Sequence, residues 1–251
     1  MTAPEPLAED IPGWPRREKY RELVETWLRT GKRMLGVFPR RCPICGFEGH
    51  FVAAGQPPRY DARCSRCGAF ERHRLFALWL SRHPEAVEGR RVLHIAPERI
   101  LRPLIEPRTA AYLDGDRDPN RAGRALDVEA LELGDGAFDT VICNHVLEHV
   151  AHERALAEFR RVLAPGGLAV LSFPIVEGWD ETYADDAVRS ERERVLHFGQ
   201  RDHVRFFGAD VRDAIRAAGF ALEEVTAVEP DVRRYGLIRG EKLFLGRVPD
   251  D

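Results

Sequence analysis

Four cysteines constrain this chain more tightly than any other feature. Cys42 and Cys45, then Cys64 and Cys67, form two Cys-x2-Cys pairs with eighteen residues between them. A two-residue spacer lets both thiolates of a pair face one ion, and Gly46 and Gly68, each directly after a pair, permit the tight turn this needs. Four thiolates fill a tetrahedral site, so the spacing predicts structural Zn2+ with no position left open for chemistry. His50 lies nearby but reads as a surface histidine rather than a ligand. The remaining cysteine, Cys143, has apolar neighbours and reads as a small core residue. The opening MTAPEPLAED is acidic and lacks the basic-then-apolar order of a signal peptide. With an odd cysteine total, that argues for metal binding over a disulfide framework and for a cytoplasmic location.

The 251 residues are 44% hydrophobic and 31% charged, enough for one sizeable core and a small second unit. No run approaches the ~18 uninterrupted apolar residues of a membrane helix. Residues 11–90 carry 16 Lys or Arg against 8 Asp or Glu, while residues 1–10 contribute -3 and residues 91–251 carry -8. Zn(II) with four thiolates is formally -2, which lowers the basic segment from +8 to about +6. Such a segment is either a solvated arginine-rich surface or a patch for an anionic partner.

Residues 1–15 hold four prolines and three acids and read as a mobile tail. Tyr20, Leu23, Val24, Trp27, Leu28 and Met34 then recur at helical spacing, predicting an amphipathic helix that ends near Gly36. After the cysteines, Leu75, Phe76, Leu78, Trp79 and Leu80 form the apolar part of a second helix reaching about His83. Residues 16–88 thus read as a helical and zinc-binding module, with Pro84 and Gly89 marking a linker. From residue 89 onward the short runs RVLHIA, AYLDGD, TVICNHV and GLAVLSFPI alternate with helix-like stretches, the sign of a mostly parallel sheet covered by helices on both faces. ALEEVTAV and EKLFLGRV lie too close together for a full crossover helix and predict an antiparallel pair at the sheet edge, with an antiparallel C-terminal edge strand.

At RVLHIAPE, YLDGD, DVEALELGDGAFDTVICNHVLEHV and VLAPGGLAVLSFPI, residues 90–250 resemble class I S-adenosylmethionine-dependent methyltransferases of the methyltransferase 11 type. With the cysteine pairs and ERHRL, the whole chain resembles bacterial methyltransferases that carry an N-terminal zinc ribbon. The resemblance implies a Rossmann-like α/β domain that uses S-adenosylmethionine. The first strand is predicted at Val92 to Ile95, and its following turn should approach the methionine part of the cofactor. Family members place an acid at the position of His94 and glycines at those of Ala96 and Glu98, so this chain departs from the pattern. Glu98 either binds the methionine ammonium or points away as a first-turn residue. Asp116, 22 residues after His94, stands near the ~20-residue spacing at which an acid takes the ribose hydroxyls, with Asp114 as the competing register. Asp127 matches the family acid at the adenine amino group, and Val128 would offer backbone there. Asn144 and His145, after the fourth strand, should lie near the sulfonium, with His145 beside cofactor or substrate. His149 reads as a helix-packing histidine, and Pro165 to Gly167 as a turn.

HFGQRDHVRFFG, residues 197–208, joins polar ends to aromatic bodies in the region where this family builds its substrate site. His203 is the leading general-base candidate, because an unperturbed imidazole titrates near neutral pH. Arg205 suits an anionic group. The upstream segment around Tyr183 reads as a lid. A small-molecule or peptide methyltransferase is the favoured expectation. An RNA methyltransferase is the alternative, since ribosomal guanine methyltransferases also place a zinc finger before this fold. A non-catalytic cofactor-binding protein is a third, prompted by the altered glycine loop.

Overall fold

The computed structural model describes residues 35–55 and 58–250. The expected tail and the amphipathic helix before Leu35 lie outside the described residues. Among those described, no helix is long and apolar enough to cross a membrane.

The cysteine segment is built from two short antiparallel pairs, β1 (Arg40–Arg41) with β2 (Glu48–Gly49), and β3 (Val52–Ala54) with β4 (Arg59–Arg63). Each Cys-x2-Cys turn closes when the following glycine donates its N–H to the first cysteine's carbonyl, Gly46 to Cys42 at 2.9 Å and Gly68 to Cys64 at 3.0 Å. Both glycines sit at positive φ, +70° and +78°, which L-residues adopt only with strain. The apolar core of this module consists of Cys42, Phe51, Cys64 and Ala69.

Helix α1 (Glu71–Arg82) follows, with an acid in its first turn and an arginine in its last, both favourable to the helix dipole. Its apolar residues are buried over most of its circumference, because it is covered on more than one side. Leu75, Phe76, Trp79 and Leu80 share one core with Val92, Ile142, Val170 and Leu245 of the large sheet. Residues 84–88 are therefore no open linker: Val87 is fully buried, and the helix expected to belong to the zinc module is also part of the second domain's core.

That sheet has seven strands, in the order β12 (Ala221–Thr226), β13 (Lys242–Arg247), β9 (Leu163–Ser172), β8 (Phe138–Asn144), β5 (Arg91–Ile95), β6 (Ala111–Asp116), β7 (Arg124–Ala125). β5 to β9 pair in parallel, and β13 runs antiparallel to both neighbours. The last strand is antiparallel, as expected, but it does not form the edge. It inserts one place inward and leaves the edge to β12. Inside the sheet its Leu243, Phe244 and Leu245 are covered on both faces, which an edge position would not provide. Alternate strand residues feed two cores. Leu93, Ile95, Val141, Cys143 and Leu171 face helices α3 (His152–Val162) and α5 (Val211–Ala217), while Val92, Ile142 and Val170 face α1.

Candidate active site

Strand order reverses between β5 and β8: the chain proceeds from β5 to β6 and β7 on one side, and from β8 to β9 on the other. In open parallel sheets a crevice opens outside the carboxyl ends of the strands at such a switch point. The turn after β5, the end of β6 and the residues after β8 therefore converge there.

In the β5 turn, Ala96 occupies a left-handed conformation, φ +46°, and donates its N–H to the Gly115 carbonyl at 2.7 Å. A glycine would adopt this shape freely, whereas alanine costs about 1–2 kcal/mol. Glu98 takes neither orientation considered from the sequence alone. Its carboxylate turns into the protein, where Oε1 accepts from His73 Nε2 at 3.0 Å and Arg72 Nε at 3.3 Å, and Oε2 accepts from Asn144 Nδ2 at 3.0 Å. Burial alone would raise its pKa, but the His73 hydrogen bond and the charges of His73, Arg72 and His145 overcome it and hold the carboxyl down at about 2. His94 is fully buried, with Nδ1 2.9 Å from the Tyr112 hydroxyl and no partner for Nε2. Burial lowers it to about 4, so the imidazole is neutral at physiological pH.

The two acids of β6 divide their tasks. Asp114 is committed to structure, accepting from Arg102 Nη1 at 2.9 Å and from the Gly123 N–H at 3.0 Å. Among the described residues, Asp116 accepts only the Asp118 N–H on Oδ1, at 2.9 Å, while Oδ2 has the exposed Arg121 3.7 Å away. One carboxylate oxygen at the strand end thus keeps free acceptor capacity. Beyond β7, Asp127 is exposed and turns Oδ1 back to the Glu129 N–H, while Val128 is buried.

Asn144 is locked: its Oδ1 accepts from Ser172 Oγ at 2.8 Å while Nδ2 holds Glu98. His145 then adopts φ +54° and donates its backbone N–H to the Ser172 carbonyl. Its ring stands 3.2 Å from Glu148 Oε1. Glu148, to which the sequence gives no role, is 1% exposed, and among the described residues neither carboxylate oxygen has a hydrogen-bond partner. It forms one group with His149 and His203, whose ligand-capable atoms all lie within 4.8 Å of one another. Nothing local in NHVLEHV marks Glu148 as buried and unpaired, because its company arrives 55 residues later with His203.

The expected substrate segment folds as a cap. β10 (Tyr183–Ala184) pairs with β11 (Arg205–Phe206), and helix α4 (Glu191–Phe198) starts on a Ser190 and Glu193 capping box. Phe198 and Phe207 are buried anchors. Tyr183 is engaged with His197, its hydroxyl 2.6 Å from Nδ1. His203 and Arg205 part company. His203 is 3% exposed, packed edge to face on His149, so it does not present an open ring as a free general base would. Arg205 contacts His152 and Phe207 beside a cavity of about 340 Å³ that Thr182 and Asp210 also line.

At the cysteine site, Sγ of Cys42 stands 3.6 Å from that of Cys67, and Sγ of Cys45 stands 3.8 Å from that of Cys64. Sulfurs bound tetrahedrally at ~2.3 Å from zinc stand ~3.8 Å apart, so the donor set fits Zn2+. His50 is no part of it: its Nδ1 meets the Gly36 carbonyl at 2.8 Å.

This topology is that of the Rossmann-like methyltransferase fold. Residues 109–171 match the family described as a methyltransferase domain. A protein of Mycobacterium ulcerans (strain Agy99) described as an uncharacterized methyltransferase is 31% identical over 113 residues, 39% of this chain and 44% of that protein. The chain spans less than half the length of the curated relatives it matches, 16% in one case and 44% in the other. A crystal structure of an S-adenosylmethionine-dependent methyltransferase from Mesorhizobium loti superposes with a TM-score of 0.52 at 16% identity, over 69% of this chain and 97% of the other. The [4+2]-cyclase SpnF superposes with a TM-score of 0.53 at 14% identity, over 74% of this chain and 85% of its own. These likenesses establish the fold, which by itself does not fix the chemistry.

Proposed function

We propose that the protein is an S-adenosylmethionine-dependent methyltransferase acting on a small molecule or a peptide. The observation that carries this reading is Asp116, whose unused carboxylate oxygen stands at the end of the strand next to the switch point. That is the place and the acceptor needed for a pair of ribose hydroxyls. Asp127 and the Val128 backbone would take the adenine, and the turn from His94 through Ala96 to Glu98 would border the methionine end.

The cofactor supplies a methyl group on an already activated sulfur leaving group. The chain's own task is alignment and exclusion of water. Asn144 is held rigid by Glu98 and Ser172, which fixes the wall after β8. The cap formed by β10, α4 and β11 provides cover for an acceptor, and Arg205 a positive contact for an anionic one. His145, partly exposed at the end of β8, is better placed than His203 to meet a substrate. Reduced thiols at the zinc site accord with a cytoplasmic setting.

Calorimetric titration should show S-adenosylmethionine binding, weakened by about 1–3 kcal/mol in Asp116→Ala, the range for losing a charged acceptor and leaving its donors unpaired. An unchanged dissociation constant would remove the ribose assignment. A radiolabelled methyl donor offered to metabolites, peptides and total RNA then identifies the acceptor. Labelling of RNA alone would overturn the substrate class.

A further inference from the structure

The group at the end of β8 has a donor set that the alignment and exclusion roles do not use. Glu148 is almost wholly buried with both carboxylate oxygens unpartnered, and His203 is 3% exposed with its Nδ1 unpartnered. A bare buried carboxylate costs several kcal/mol unless something compensates its charge. The closest cationic candidate is His145, 3.2 Å from Oε1 but out of line for a hydrogen bond. His149 is oriented from behind, its Nδ1 3.0 Å from the Asp202 carbonyl. In the neutral ring that contact leaves Nε2 as the lone-pair nitrogen, the usual device by which an outer carbonyl aims a ligating imidazole.

We infer that Glu148, His149 and His203 form a divalent-cation site, distinct from the four-cysteine site, at the mouth of the β8 crevice. Two imidazoles and one carboxylate suit Zn2+ or a neighbouring first-row ion, and three protein ligands leave coordination positions open. Ligands at ~2.1 Å from an ion stand about 3–4 Å apart, so atoms now within 4.8 Å need only small side-chain rotations to close on it. The site is closed at its base and open at its rim: the side chains of His149 and His145 are 28% and 30% exposed, against 1% for Glu148.

The open positions face the region assigned above to the acceptor, so this inference deepens the methyltransferase reading and rests on it for the reaction. The substrate class that fits is one with a hydroxyl beside a second oxygen, able to hold the ion through both. The ion favours loss of the hydroxyl proton to water. The oxygen then forms its bond to the methyl carbon as the carbon–sulfur bond breaks, the bonding pair staying on sulfur as a neutral thioether.

Zinc stoichiometry tests the site without any methyl donor present. After equilibrium dialysis against Zn2+, the full chain should hold two equivalents, and Glu148→Gln and His203→Ala should each hold one, with the far-ultraviolet spectrum of the folded chain retained. His83→Ala, an exposed histidine outside the group, should keep two. A single equivalent in the unmodified chain, or a second equivalent indifferent to both substitutions, overturns the inference. A chain that takes the second Zn2+ but shows no S-adenosylmethionine binding would keep this site and lose the methyltransferase reading.

Discussion

The four-cysteine segment and the sheet domain differ most in how much apolar surface each buries. Among the described residues, that segment's own apolar core is Phe51 and Ala69 with two cysteines, and its strands are two to five residues long. The sheet domain carries two apolar layers from which a parallel sheet is covered on both faces. A segment with so little buried carbon needs another source of stability, which metal–thiolate bonds at the four cysteines would supply. The two regions are nonetheless joined by polar ties, chiefly those of Arg74 on α1. The Arg74 guanidinium is fully buried and donates to five carbonyls, those of Asp61, Ala62, Ala69, Tyr235 and Gly236.

The largest effect should come from removing zinc, because structural sites contribute on the order of 10 kcal/mol to the folding of their own module. A chelator, or Cys42→Ser and Cys64→Ser, should unfold residues 40–69 while the sheet's far-ultraviolet signal survives. Hydrogen exchange resolved by segment measures this. Equal loss of protection in both regions would show that they are one cooperative unit and break the contrast.

Next in size is Arg74→Met, which keeps apolar bulk and strips the donors from five buried carbonyls. A cost of about 3 kcal/mol or more is expected from unpaired acceptors. The melting curve should split into two transitions as the seam between the regions weakens. A single transition at the original temperature would assign Arg74 no part in joining them.

The smallest effect is the acid response of Glu98. Its folded pKa of about 2 lies below the ordinary 4.5, so its contribution is complete above about pH 4.5 and is lost as pH falls toward 2. Glu98→Gln should flatten stability between pH 5 and 2 by about 1–3 kcal/mol, read from denaturant midpoints across that range. An identical acid profile in the variant would mean that the ties to His73 and Arg72 do not hold the β5 turn to α1.

What was legible from sequence is what local spacing encodes. The four cysteines and their glycines act within a few residues of one another, and strand-length apolar runs report a sheet buried on both faces. Asp116 and Asp114 were legible as a pair, whereas their division of labour depends on Arg102 and Gly123, which only the fold brings up. The place of β13 depends on which strand offers the better covered position, a non-local choice. Glu98, set beside departures from a glycine pattern, gave no sign that its partners were Arg72 and His73 on a helix before the sheet. His203 looked like an exposed base because its segment is polar, yet Phe198 and Phe207 pull that segment inward.

Arg74 also sets an order of events during synthesis. Three of its five acceptors lie 5 to 13 residues away, but the other two, Tyr235 and Gly236, lie 161 and 162 residues further along. On the ribosome all four thiols are at hand once Cys67 has emerged, whereas the guanidinium must wait for Tyr235 and Gly236. The cysteine segment therefore carries an unfilled socket until Tyr235 and Gly236 arrive, and the turn before β13 acts as the latch that closes it.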